Sequence, residues 1–182
     1  MTEDLKCLAN ILAERNHLDV KVSTIIGRPA TQGHIGEFIA SRIFGIELSQ
    51  SATNKGFDGK FILGALAGRT VDVKLYGKQE GVLAVNEKTT PDFFLVMTGP
   101  KSRAISSKGQ TRPCVIEQVY LFDGPSLVIE LKCRNVKLSV STSIASALWN
   151  AAEIYPRQAN AMINLSKEQC TLLALFGSGA GA

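Results

Sequence analysis

With 182 residues the chain holds only two histidines, four cysteines and one tryptophan, and these scarcities exclude several kinds of site. Cys7, Cys114, Cys133 and Cys170 share no metal-knuckle spacing, and His17 and His34 alone cannot complete a structural zinc set. The sulfurs are expected to be free, partly buried thiols. No apolar run is long enough to span a bilayer. The start, Met1-Thr2-Glu3-Asp4, is acidic and lacks the basic opening of a signal peptide, so a cytoplasmic chain is expected. There is no internal repeat, and the one shift in composition is the Gly/Ser/Ala tail 177–182, so a single domain over 1–182 is expected. Hydrophobic residues at 45% and charged residues at 20% exclude general disorder. The net charge of +4 permits a polyanionic partner without demanding one.

What remains is a chain of interleaved helical and extended patterns. Residues 2–17 read as a helix with Thr2 as cap, Glu3 and Asp4 in its first turn and Leu5, Leu8 and Leu12 on one face. Val20 to Pro29 reads as a short strand or a loop. Gly36 to about Leu48 reads as a helix with an Ile35/Ile39/Ile43/Ile46 stripe. Phe57 to Ile62 and Thr70 to Tyr76 read as two strands around a turn containing Gly64 and Gly68, and Asp92 to Met97 as a central strand. Phe122-Asp123-Gly124-Pro125 reads as the turn of a hairpin between Val115–Phe122 and Ser126–Lys132, with Val136–Val140 extending the sheet. A helix is expected over Ser141–Tyr155, with Trp149 in the core. Ser166-Lys167-Glu168-Gln169 reads as the capping box of a last helix reaching about Phe176.

Chemistry concentrates in the middle of this pattern. An acid, any residue, then Lys occurs five times, beginning at Asp4, Asp19, Asp58, Asp72 and Glu130, so the triplet alone selects nothing. Around Asp72 the residues alternate: Val71, Val73 and Leu75 are apolar, while Thr70, Asp72, Lys74 and Tyr76 are not. Asp72 and Lys74 therefore leave the same face of a strand. If the upstream strand folds back in an antiparallel hairpin, Asp58 lies opposite Asp72 or Lys74, with Cβ atoms about 5 Å apart. Two carboxylates that close repel unless a cation or a proton sits between them. Glu130, on its expected strand, has no acidic neighbour.

Gly33-His34-Ile35-Gly36-Glu37, then Lys55-Gly56-Phe57-Asp58-Gly59, then Val71-Asp72-Val73-Lys74, then Asp92-Phe93-Phe94-Leu95-Val96 resembles the PD-(D/E)XK nuclease superfamily, and within it a group of small bacterial proteins. Phe57 stands where the eponymous motif has Pro, and Asp72 where Glu is commoner. The resemblance implies a restriction-endonuclease-like α/β (α+β) fold, a mixed central sheet flanked by helices. It implies hydrolysis of DNA phosphodiesters, as in a type II restriction endonuclease, or a catalytically inactive nucleic-acid-binding or assembly module of the same fold. It implies magnesium, with manganese able to substitute, on Asp58 and Asp72, with Lys74 assisting, and it is compatible with a homodimer. Glu37 divides the two approaches: the resemblance makes it a third ligand, whereas helical periodicity puts it about 180° from the apolar stripe, on the solvent face. Lys101, Arg103, Lys108 and Arg112, in an acid-free loop over 99–113, are candidate phosphate contacts.

Overall fold

The computed structural model describes residues 2–49, 56–86, 88–101 and 113–179. Among them the chain is a mixed α/β structure in which helices lie on both faces of a six-stranded sheet.

The chain opens with α1 (Glu3–Ile26), longer than the expected 2–17. Its β-branched segment Val20–Ile26 stays helical because a β-branched residue costs only a few tenths of a kcal/mol in a helix, and the stop comes where Gly27 turns left-handed at φ 70°. α2 (Gln32–Phe44) is capped by the Thr31 hydroxyl on the His34 N–H and is stopped by Gly45 at φ 63°. Gly45 ends the expected helix early and releases Ile46–Leu48 as β1. β2 (Gly59–Phe61) and β3 (Thr70–Tyr76) follow around a 3₁₀ turn at Gly64–Leu66, as the glycines suggested. β4 (Val82–Leu83) and β5 (Phe93–Thr98) come next, then β6 (Gln118–Asp123).

After β6 the structure departs from the expected hairpin. Asp123 is a helix cap whose carboxylate accepts the Ser126 N–H at 2.8 Å, and Pro125 sits in the first turn of α3 (Gly124–Cys133). Asp-Gly-Pro carries a cap and an N-terminal proline as readily as a turn, and Leu127 and Leu131, four apart, are both buried. Glu130 is thus a helix residue bonded to Arg134, not a strand residue. Residues 136–140 form no strand. Thr142–Ser143 is β7, paired with β4 in a separate two-stranded sheet. The expected helix 141–155 shortens to α4 (Ser146–Ala152), and Glu153–Tyr155 becomes β8, because β6 offers it an edge. Trp149 is buried as expected. The capping box on Ser166 and Gln169 is present and opens α5 (Lys167–Ala174). Cys7, Cys114 and Cys133 are exposed free thiols rather than partly buried ones.

The main sheet runs β1-β2-β3-β5-β6-β8, antiparallel except for the parallel β3–β5 pair. The alternation along β3 assigns the faces. Val71, Val73 and Leu75 pack with α2 residues Ile39, Ala40 and Ile43 and with Leu173 of α5. The approach is close: a Cβ on Gly36 would lie 2.7 Å from Leu75 Cβ. The opposite face carries Phe94, Val96, Tyr120 and Phe122 under α3 and α4, with Leu83 of the small sheet and Ile144, which follows β7. Asp72, Lys74 and Tyr76 belong to this second face.

Asp92 locks the entry of β5 to that of β3. Its carboxylate accepts the Thr70 N–H and hydroxyl, each at 2.8 Å, and pairs with Arg69 at 3.1 Å. Burial works to raise its pKa, but the Thr70 bonds and the Arg69 charge outweigh it and hold the carboxyl below its ordinary value. A folded-state pKa below the unfolded one gives stability that is present above about pH 4 and lost as pH falls through the folded value. Asp92→Ala should therefore lower the melting temperature near neutral pH, with a cost of about 1–3 kcal/mol for bonds to a charged acceptor. The difference from wild type should close toward pH 2, which melts recorded between pH 2 and 7 will check.

Candidate functional site

β2 and β3 pair with Gly59 facing Val71 and Lys60 facing Thr70, the register that sets Asp58 across from Asp72. Asp58 then grips β3 on both sides of Asp72. Its N–H donates to the Val71 carbonyl at 2.9 Å, and its carboxylate accepts the Val73 N–H at 2.8 Å. Its own carbonyl takes the Ser49 N–H from the end of β1 at 2.8 Å. The β2 ladder stops at Gly59, so a side-chain oxygen replaces the next backbone acceptor, and that substitution holds the carboxylate against its neighbour.

Asp72 hydrogen-bonds and ion-pairs with Lys74, two residues along the same face. Burial pushes the Asp72 carboxyl up to about 7 against the pull of Lys74, and the charge of Asp58 and a hydrogen bond with it add to the rise. Burial works to lower the Lys74 pKa, but the Asp72 charge and bond, then the Asp58 and Tyr76 charges, hold the ammonium above its ordinary value. Tyr76 is pushed up by burial, and its hydroxyl accepts the Ala84 N–H at 3.1 Å. That bond and the Val85 N–H to Ser139 carbonyl bond at 2.9 Å carry the chain over the second face as a wall.

Under this wall lies an open cleft of about 470 Å³, lined by Asp72 and Lys74 together with Asn86, Lys88, Thr89 and Ser139. The Thr89 hydroxyl is buried and has no hydrogen-bond partner among the described residues. Gly56 at φ 107° passes so close that a Cβ there would lie 2.3 Å from Thr89 Cβ. The cleft thus joins a carboxylate and two ammonium groups to neutral donors, a set suited to a phosphate carrying a divalent cation.

Of the four residues singled out for catalysis, the structure brings three together. Glu37 stands apart: it lies on α2, which covers the opposite face, and its carboxylate is bonded to Arg28. No cluster of three His, Cys, Asp or Glu side chains that could hold a metal exists among the described residues. The His34 ring bonds the Pro29 carbonyl at 2.9 Å, a structural role at the entry to α2. Lys101 lines a different pocket, of about 220 Å³, beside Glu80 and Trp149. Arg103, Lys108 and Arg112 lie outside the described residues. Sequence reasoning passed over Lys88, Asn86, Thr89 and Ser139. The first three belong to a polar run leading into β5, and Ser139 falls in the segment read as a strand, so only the tertiary fold reveals their common cleft. No family model matches this chain, and no curated protein matches it closely enough to be counted a relative.

Proposed function

We propose that the chain is a magnesium-dependent endonuclease of the restriction-endonuclease-like fold that hydrolyses DNA phosphodiester bonds at the Asp72 cleft. The observation that supports this most is the meeting of Asp58, Asp72 and Lys74 at the start of β2, Asp72 and Lys74 lining the cleft. The donor set fits a hard divalent cation. Asp58 and Asp72 offer carboxylate oxygens, and a cation between them offsets both the burial of the Asp72 charge and the smaller repulsion from Asp58 that together raise its pKa. When bound, magnesium supplies Lewis-acid charge at a phosphate and makes water more acidic, and manganese has the same taste for oxygen ligands.

The protein's own groups do the rest. Lys74 sets a fixed positive charge within reach of a phosphate in the cleft, where charge builds as the ester bond breaks. Lys88, exposed at the rim, draws in the polyanion. The covering wall held by Tyr76 excludes bulk water from one side and strengthens these interactions.

Plasmid DNA incubated with the protein and magnesium should be nicked. Asp58→Ala, Asp72→Asn and Lys74→Ala should each lose at least about a hundredfold of that rate. Equal nicking by wild type and variants, or none by wild type on duplex, single-stranded, branched and RNA substrates, overturns the proposal. A second reading, a nucleic-acid-binding or assembly module without hydrolysis, is favoured by the bond that ties Glu37 to Arg28. Its mark is salt-dependent DNA binding that survives Asp58→Ala and needs no metal.

A further inference from the structure

We propose that α1 is a dimerisation arm that pairs antiparallel with α1 of a second copy of the chain, independently of any reading of the cleft. The helix has no fully buried residue along its 24 positions, and its main contact is with α2. A lone helix of this length has a marginal hold on its own structure in water. Yet it carries a repeating seam that is apolar apart from Arg15. Leu8, Ile11, Arg15, Leu18, Val22 and Ile25 follow each other at alternate steps of three and four, the spacing of a two-stranded coiled coil. Leu8 is 50% exposed, Ile11 55%, Leu18 57% and Ile25 71%. Val22 is half-buried, while Leu5 and Leu12 flank the seam and are exposed as well.

Charge chooses the partner and the direction. Arg15 in the middle of the seam and Asp19 on its flank lie 3.6 Å apart within one helix. A two-fold axis near His17 sets Arg15 across from Asp19 of the second copy, twice, and Glu14 within one position of the level of Lys21, twice. The same register sets Leu8 near Ile25 and Ile26, and Leu12 near Val22. A parallel pairing would instead stack Arg15 on Arg15 and Asp19 on Asp19. The seam is thus self-complementary in one direction only. Pairing would bury roughly 1,000 Å² of total surface, at the lower end for a specific association. A membrane surface is a poorer occupant, since helices that lie on anionic lipid carry a basic polar face. α1 has four acids (Glu3, Asp4, Glu14, Asp19) against three bases (Lys6, Arg15, Lys21).

Sedimentation equilibrium of the full chain should give twice the monomer mass, and Leu8→Glu with Leu18→Glu should return it to one. Arg15→Asp alone and Asp19→Arg alone should each weaken the dimer by at least about tenfold, by setting like charges across the axis. Mixing these two variants restores opposite charges only between chains, so a heterodimer should form at wild-type affinity while the pair within each helix stays broken. This arm keeps the test decisive even if the glutamate variant unfolds α1. A wild-type monomer up to about 1 mM, where association worth only about 4 kcal/mol is populated, overturns the proposal. So does a dimer untouched by the charge variants, or one that the mixture fails to rescue. Binding to phosphatidylglycerol vesicles by a monomer would equally overturn it, in favour of lipid.

Discussion

Asp72→Asn should make the protein inactive and, in the absence of metal above pH 7, more stable. The two effects have one cause. Ionised Asp72 lies in a largely buried site beside Asp58, with Lys74 as the cation paired to it. Its pKa, raised from 3.8 to about 7, means that the folded protein holds the proton more tightly than the unfolded chain. The sign follows: the group's contribution to stability is complete below about pH 4, is lost as pH rises toward 7, and stays lost above. A tenfold difference in proton affinity between the folded and unfolded chain corresponds to about 1.4 kcal/mol, so the full loss is on the order of a few kcal/mol. Asparagine fills the same space without the charge and leaves Lys74 with Asp58 as its remaining anion. Thermal melts in chelator should show the variant gaining on wild type between pH 4 and 7, with a constant lead above pH 7. Adding magnesium or manganese at pH 8 should raise the wild-type melting temperature, since a ligand that binds only the folded state stabilises it, and leave the variant unmoved. At pH 5.5, where Asp72 carries its proton, wild type should respond weakly too. A variant that melts below wild type at pH 8, or that keeps the magnesium response, would show that Asp72 is a structural ion-pair partner and nothing more. A carboxylate whose ionisation costs stability in a cleft fits a group placed for function rather than for the fold.

The sequence exposed this site better than it exposed the fold around it, for a reason that individual residues show. The period of two along Thr70–Tyr76 reports a strand with one face against the core, and that fixes Asp72 and Lys74 together without any tertiary information. The short β2–β3 connection, with Gly64 and Gly68 in the left-handed region at φ 68° and 83°, fixes the register and so brings Asp58 in. Both signals are local. Glu37 is different: its place depends on how α2 packs over β3, and Arg28, its partner, precedes that helix. The segment 126–132 failed for the opposite reason. Its apolar residues satisfy both periods, and what decided for a helix was Asp123 capping Ser126, with Pro125 set for a first turn. Residues 153–155 continue a helical pattern from Ser141, yet they pair with β6 because that strand had an open edge. Neither competition can be read from the segment itself.

Gly59→Ala should dismantle the site from behind, through one added methyl group. Gly59 sits in β2 between Leu48 of β1 and Val71 of β3. A Cβ there would lie 2.4 Å from the Glu47 carbonyl oxygen and 2.8 Å from Ile46 Cγ2. Neither neighbour yields cheaply: the carbonyl is backbone of a paired strand, and Ile46 is buried at 4% exposure. Either β1 separates from β2 or β2 moves, and Asp58 is the residue just before Gly59 in the chain. Its bonds to Val71, Val73 and the Ser49 N–H are the ones that a shift of β2 would lengthen. Overpacking of this kind costs about 1–3 kcal/mol, equivalent to a drop of several degrees in melting temperature at about 2–4 °C per kcal/mol. The larger effect should fall on the carboxylate pair, with manganese affinity measured by calorimetry down by at least about tenfold, since a misplacement of about 1 Å is enough to undo a positioned site. Lys60→Ala, one residue on and exposed at its side chain, is the control and should change neither quantity. A Gly59→Ala protein with a lowered melting temperature but unchanged manganese binding would mean that Asp58 takes no part in holding the ion, and the two-carboxylate site would have to be abandoned.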